Sequence, residues 1–150
     1  MPQSLSNILI HLVFSTKERH AWLRESIRPE LHAYMSRVLQ NINCPALIIN
    51  SVEDHIHILF ALSRVLALAS AVRDLKRASS LWLKGKGKSC EFFSWQAGYG
   101  AFSVSKSQVE LVKRYIAGQA EKHKKMSFQE EYRDILRSLN ISFDERYVWG

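Results

Sequence analysis

The sequence predicts an α+β fold in which strands and helices alternate as β-α-β-β-α-β and further helices follow. Three observations predict it. "EDHIHILFAL", residues 53–62, alternates strictly, placing His55, His57, Leu59 and Ala61 on one face of an extended strand and Ile56, Ile58, Phe60 and Leu62 on the other. A second β-branched run, "ALIINSVE", stands just before it and is joined to it by the acidic pair Glu53-Asp54, which reads as a hairpin turn. Two stretches flanking this hairpin repeat apolar residues every three or four positions, the spacing of an amphipathic helix.

Taken in order, "LSNILIHLVFST" (residues 5–16) is the first strand and "KERHAW" a basic loop. A helix is expected over 26–43, with Ile27, Leu31, Tyr34, Val38 and Ile42 on one side and Pro29 in its first turn, where a missing N–H costs nothing. Pro45 separates it from the hairpin. A second helix is expected over 65–84, turning Leu68, Val72, Leu75, Ser79 and Trp82 inward, and "GKGKS" ends it. The later part of "FFSWQAGYGAFSVS" reads as a fourth strand with a bulge. A third helix should run unbroken from Ser105 or Ser107 to about Lys125. A short last one, about Ser127 to Leu139, carries a capping-box pattern in Ser127 and Glu130. The closing "ISFDERYVWG" has no clear pattern. This is the ferredoxin-like arrangement: one antiparallel sheet, two helices on one face, the His-x-His strand central, and C-terminal helices beyond.

At 150 residues, 47% hydrophobic and 23% charged, the chain reads as one domain spanning 1–150 with a real core. Cys44 and Cys90 belong to no CxxC pair, so neither a zinc site nor a disulfide framework is expected. The start lacks the pattern of a signal peptide, and the most apolar run, "ILFALSRVLALASAV", is broken by Arg64 and too short to span a bilayer. A soluble, cytoplasmic protein without a membrane partner is the expectation. The formal charge of +7 points to a polyanionic partner.

The histidine pair has two readings from the residues alone: side chains satisfied on a half-exposed sheet, or ligands of a metal. "VKRYIAGQAEKH", residues 112–123, adds Tyr115 and Gln119, one helical turn apart and pointing the same way. A His-hydrophobic-His strand followed by a Tyr-x-x-x-Gln helix resembles the single-tyrosine HUH transposases of the smallest bacterial insertion sequences. "HLVFSTKER", "WQAGYGAFSVS" and "KRYIAGQAEKHKKMSFQEEY" resemble them in the same order, over nearly the whole chain. The resemblance implies that Tyr115 is the nucleophile and that His55, His57 and Gln119 hold a divalent ion, magnesium or manganese. It also implies single-stranded DNA hairpins as substrate, a 5′-phosphotyrosine intermediate, and a homodimer whose tyrosine helices complete the active sites in trans. Two imidazoles and an amide would add no negative charge against an incoming polyanion. His11, on the neighbouring strand, is expected to support the pair, and His123, two turns beyond Tyr115, to lie in solvent.

Six basic residues, Arg73, Lys76, Arg77, Lys84, Lys86 and Lys88, fall between 73 and 88 against one acid, Asp74. With Lys17 and Arg19 of the basic loop they are the candidate DNA contacts, and Lys113, Arg114, Lys122, Lys124 and Lys125 add charge around the tyrosine. Phe92, Phe93 and Trp95 are candidates for stacking unpaired bases, or for core or dimer contacts. Two other functions stay open: a catalytically silent relative that grips hairpin DNA or RNA, and a small metallohydrolase using His-x-His to activate water.

Overall fold

The computed structural model describes residues 2–150. Four strands, β1 (Leu9–Ser15), β2 (Ala46–Ser51), β3 (His55–Ala61) and β4 (Gly100–Val104), form one sheet in the order β2-β3-β1-β4. All three pairings are antiparallel, and β3 lies between β1 and β2 as the element order requires. β1 is shorter than its apolar run because its partners are short: Leu9 pairs with Ala61 and Val104, and both neighbouring strands end there. Leu5 is left 82% exposed. The irregularity expected in β4 is absent from its register; the shift falls in β2, between Ala46 and Ile48.

One face of the sheet presents Ile10, Leu12, Phe14, Ile56, Ile58 and Phe60 to two helices, α1 (Arg28–Asn41) and α2 (Leu68–Lys84). Leu31, Met35 and Leu39 are the buried stripe of α1, and Pro29 lies in its first turn. α2 buries Ala71, Val72, Leu75, Ser79 and Leu83, while its Trp82 stacks on Tyr34 of α1 at 5.5 Å between ring centroids. α2 begins three residues later than the pattern predicts, and Val65 is exposed. Phe93 and Trp95 join this core, with the Trp95 indole N–H donating to Ser79 Oγ at 3.0 Å. They are packing residues; Phe92, 81% exposed, is the one aromatic of that trio open to a base.

The opposite face is covered by α3 (Val109–Ala117), α4 (Gln119–Lys122) and α5 (Phe128–Ser138). The expected single third helix is therefore two, interrupted at Gly118. Glycine is a weak helix former, and the break is stabilised from outside. The Asn50 side chain on β2 donates to the carbonyls of Ile116 and Ala117 at 2.8 and 3.3 Å, satisfying acceptors a helix end leaves open. α5 starts where its cap predicts, with Ser127 Oγ accepting from the Glu130 N–H at 3.2 Å. The final residues close this side: Phe143, Val148 and Trp149 pack with Val13, Phe128, Tyr132 and Leu136. Gly100 must be glycine, because a Cβ there would stand 2.6 Å from the Tyr132 hydroxyl. Among the described residues no helix is long and apolar enough to cross a membrane.

Candidate active site

The alternation of β3 sends His55 and His57 to the face under α3–α5, where both are wholly buried. α3 lays Tyr115 over them, and the turn at Gly118 lets Gln119 point inward from α4, also wholly buried. Gln119 Oε1 lies 3.0 Å from His55 Nε2. The four side chains that the resemblance groups thus meet within one chain.

Two further residues complete the cluster, and the sequence reading missed both. Glu131, on α5, is 1% exposed and touches nearly everything in the site. Its Oε1 lies 3.1 Å from His57 Nε2, 3.3 Å from His55 Nε2 and 2.9 Å from His123 Nε2. Its Oε2 accepts from the Tyr115 hydroxyl and, at 2.8 Å, from Gln119 Nε2. The signal for it was available: Phe128, Tyr132 and Leu136 mark an apolar stripe on α5, and Glu131 is the one charge within it. His123 is a correction. Expected in solvent, its side chain is 8% exposed and its ring lies 4.3 Å from that of His55. A straight helix would carry it about 12 Å past Tyr115 at 1.5 Å per residue; the helix is interrupted at Gly118, between the two. A turn after α4, in which His123 Nδ1 donates to the Met126 carbonyl at 2.8 Å, then fixes the ring.

A ring of partners orients the histidines. Asp54 Oδ1 lies 2.7 Å from His55 Nδ1, and His11 Nε2 lies 2.8 Å from His57 Nδ1. His11 therefore supports the pair from β1, as expected. Burial opposes charge on His55, but the Asp54 and Glu131 carboxylates outweigh it and raise the imidazole to about 9. Burial pushes His57 down, and burial together with His57 pushes His11 down to about 3. Burial alone would raise Glu131; hydrogen bonds from His123, His55 and His57 instead hold it well below the usual carboxylate range. Burial and then the Glu131 charge push the Tyr115 phenol well above its ordinary value, so it stays protonated. The centre therefore attracts positive charge, and a proton and a metal ion would compete for the same nitrogens.

His55, His57 and Glu131 offer ligand atoms that all lie within 4.8 Å of one another, a group able to hold a metal ion. An octahedral ion with bonds of about 2.1 Å holds neighbouring ligands about 3.0 Å apart, and His55 Nε2 and His57 Nε2 lie 3.3 and 3.1 Å from Glu131 Oε1. The donor set thus fits a divalent ion, with one negative charge more than His55, His57 and Gln119 would bring.

The expected DNA contacts are divided by the sheet. Arg73, Arg77, Lys84, Lys86 and Lys88 lie on or just after α2, which packs on the face opposite the histidines. Lys86 is 3.4 Å from Glu30, and Arg73 is 3.1 Å from Asp74. Lys76 is engaged internally: its ammonium donates to the carbonyls of Gln96 and Gly98 at 2.8 and 2.7 Å, and burial lowers it to about 8. Lys17 borders a cavity of about 520 Å³ with Trp95, Trp149 and Gly150, and Arg19 donates to the Trp149 carbonyl at 3.0 Å. The cations beside the tyrosine are Arg114, Lys122 and Lys125, which line a cavity of about 430 Å³ with Tyr115 itself.

The chain is similar to known proteins in sequence and in fold. A family model described as "Transposase IS200 like" matches residues 4–119. A solved structure described as a candidate transposase from Deinococcus radiodurans R1 superposes with a TM-score of 0.62 at 20% identity, covering 79% of this chain and 98% of that one. A REP-associated tyrosine transposase bound to a REP hairpin superposes with a TM-score of 0.61 at 14% identity, covering 82% of this chain and 72% of that one. No curated protein sequence matches. The family match covers β1 through Gln119, the span that carries His55, His57 and Tyr115, and the chain belongs to the IS200-like transposases.

Proposed function

We propose that residues 1–150 act as one domain that cleaves and rejoins single-stranded DNA at hairpin-containing element ends, with Tyr115 as the nucleophile. The observation that carries this reading is the aim of the Tyr115 hydroxyl into the same carboxylate that faces the histidine pair. The phenol oxygen attacks a phosphodiester, an O–P bond forms, the P–O3′ bond breaks, and a 5′-phosphotyrosine and a 3′-hydroxyl result. An aryl oxide leaves readily, so the step reverses and the strand can be rejoined. Glu131 accepts the phenol's hydrogen bond and so orients the attacking oxygen, while the proton passes to water as the O–P bond forms and the 3′-oxygen takes one up on leaving. A divalent ion, magnesium or manganese, held by His55, His57 and Gln119 would polarise the phosphate and spread its charge. Arg114, Lys122 and Lys125 offer the phosphate backbone a path to Tyr115. Hairpin DNA as substrate draws support from the structurally similar protein bound to a REP hairpin. A homodimer exchanging its tyrosine helices would bring the same side chains to the same histidines.

A metallohydrolase is the second reading, favoured by the carboxylate beside His-x-His. One experiment separates them: single-stranded oligonucleotides from the flanks of the chain's own gene, incubated with a divalent ion and resolved under denaturing conditions. Strand transfer predicts a covalent protein–DNA adduct mapping to Tyr115 and lost in Tyr115→Phe. Cleavage that survives Tyr115→Phe means hydrolysis. Hairpin binding with no cleavage by any variant means a silent relative.

A further inference from the structure

The cavity of about 520 Å³ at the end of β1 has no part in the chemistry proposed for Tyr115, yet it adjoins the histidine strand. Lys17, Glu18, Ser94, Trp95, Gln96 and Trp149 line it. Ser15, which pairs with His55 in the sheet, exchanges two hydrogen bonds with Gln96: the Gln96 N–H donates to the Ser15 carbonyl at 2.9 Å, and Gln96 Oε1 accepts from the Ser15 N–H at 2.8 Å. Trp149 packs with Phe128, whose ring lies 4.6 Å from that of His55.

The turn that carries Lys17 and Glu18 is strained. Among the described residues, four other than glycine have a positive φ, and two of them are asparagines, which tolerate it. The other two are neighbours, Glu18 at φ 56° and Arg19 at φ 58°. Bonds on either side enforce this turn: Thr16 Oγ1 donates to the His20 carbonyl at 2.7 Å, and Arg19 Nη1 to the Trp149 carbonyl at 3.0 Å. Such strain persists only where the surroundings impose it, and it gathers at ligand clamps. Here it brings a cation and a carboxylate to one cavity without pairing them. Glu18 reaches only His20, at 3.7 Å, and Lys17 makes no ion pair among the described residues. A carboxylate repels a phosphate but accepts from an amine. An unpaired base offers a flat face to an indole and, in three of the four bases, an amino group to Glu18.

We propose that this cavity takes one unpaired base of the DNA strand against Trp149, with Lys17 on the flanking phosphate, and that Glu18 selects a base with an exocyclic amine over thymine. The inference rests on the reading that the chain acts on single-stranded DNA. Cytosine and thymine are the sharpest pair, because thymine carries a carbonyl where cytosine carries its amine. A base held beside the histidine strand fixes which phosphate reaches Tyr115, so the protein itself takes a share in choosing the cleavage site.

The test titrates the full chain, labelled for nuclear magnetic resonance, with pentanucleotides that carry one central base, cytosine or thymine, between abasic sites. A wholly abasic strand is the reference. The indole N–H signals locate the base, since Trp149 lines the cavity and Trp82 lies on α2, across the sheet. The cytosine strand should move the Trp149 signal and leave that of Trp82 in place. It should bind at least about fivefold more tightly than the thymine strand, and about tenfold more tightly than the abasic one. Glu18→Gln, at an exposed position, should bring the ratio of cytosine to thymine close to one, because an amide can donate as well as accept. An unmoved Trp149 signal overturns the proposal, as does equal affinity for the two bases in the wild type or a preference that persists in Glu18→Gln. The failures are distinguishable: a Tyr115 adduct without base preference removes only the base pocket, whereas a preference without any adduct removes strand transfer and leaves the pocket to a silent DNA-binding relative.

Discussion

The two faces of one sheet differ as sharply as any two regions of the molecule, although the same strands build both. Toward α1 and α2, β1 and β3 present Leu12, Phe14, Ile56, Ile58 and Phe60, all wholly buried in an apolar layer. Toward α3–α5 the same two strands present His11, His55 and His57, also buried but held by hydrogen bonds. A period of two residues is enough to separate stability from chemistry. The apolar face gains from area removed from water, about 25 cal/mol per Å². On the polar face burial is a cost, and it is tolerated only because every buried side-chain nitrogen and oxygen among the described residues has a partner.

The comparison predicts that changes on the two faces act on different observables. The largest effect belongs to Tyr115→Phe, which removes the attacking oxygen and leaves the ring against His11 and His57. Adduct formation on single-stranded DNA should fall by about 10⁴-fold or more, with a melting temperature close to that of the wild type. A variant that loses its fold together with its activity would show that Tyr115 is chiefly a packing residue. Phe60→Ala is the mirror image on the other face: the side chain is wholly buried among α1 and α2 residues, and its loss should cost about 3–5 kcal/mol. Urea unfolding measures that, while the fraction still folded should form adduct at the wild-type rate. A rate loss as large as that of Tyr115→Phe would mean that the faces are not separable.

Asn50→Ala tests the join between the faces. Its amide holds the carbonyls of Ile116 and Ala117 where the helix breaks, in a part-buried and an exposed bond, and losing them should cost about 0.5–1.5 kcal/mol. Because that break lies between Tyr115 and the buried Gln119 and His123, adduct formation should fall more than the stability loss alone explains. Rates compared at equal folded fraction would show whether it does.

These predictions also mark how much was legible beforehand. The order of elements, the hairpin, the facing of His55 and His57, and the Ser127 cap follow from patterns local to a few residues, and each stands in the fold. The break at Gly118 was not legible, because the group that stabilises it, Asn50, is 66 residues away from Ile116 in sequence. Assuming a continuous helix sent His123 into solvent. Glu131 was hidden differently: its position on the α5 stripe was readable, but what would receive a buried carboxylate depended on where α5 docks. Lys76 shows the converse, since a lysine in a basic cluster reads as a surface charge until the carbonyls of Gln96 and Gly98 are found around its ammonium.

The smallest effect is a pH dependence at the sheet's edge, away from the site. His32 on α1 lies 2.7 Å from Ser51 Oγ, and burial, reinforced by the Arg28 charge, lowers it from 6.5 to about 4. Between those values the unfolded chain binds the proton more readily than the folded one, so stability rises with pH across this window. The contribution is fully present above about 6.5 and is lost as pH falls toward 4. His32→Gln keeps a partner for Ser51 and removes the titration. The urea midpoint of the wild type should therefore drop more than that of the variant between pH 7 and pH 5. Parallel drops would mean that His32 is solvated in the folded chain and that the acid sensitivity lies with the buried histidines of the other face, where His11 and His57 are also held below their ordinary values.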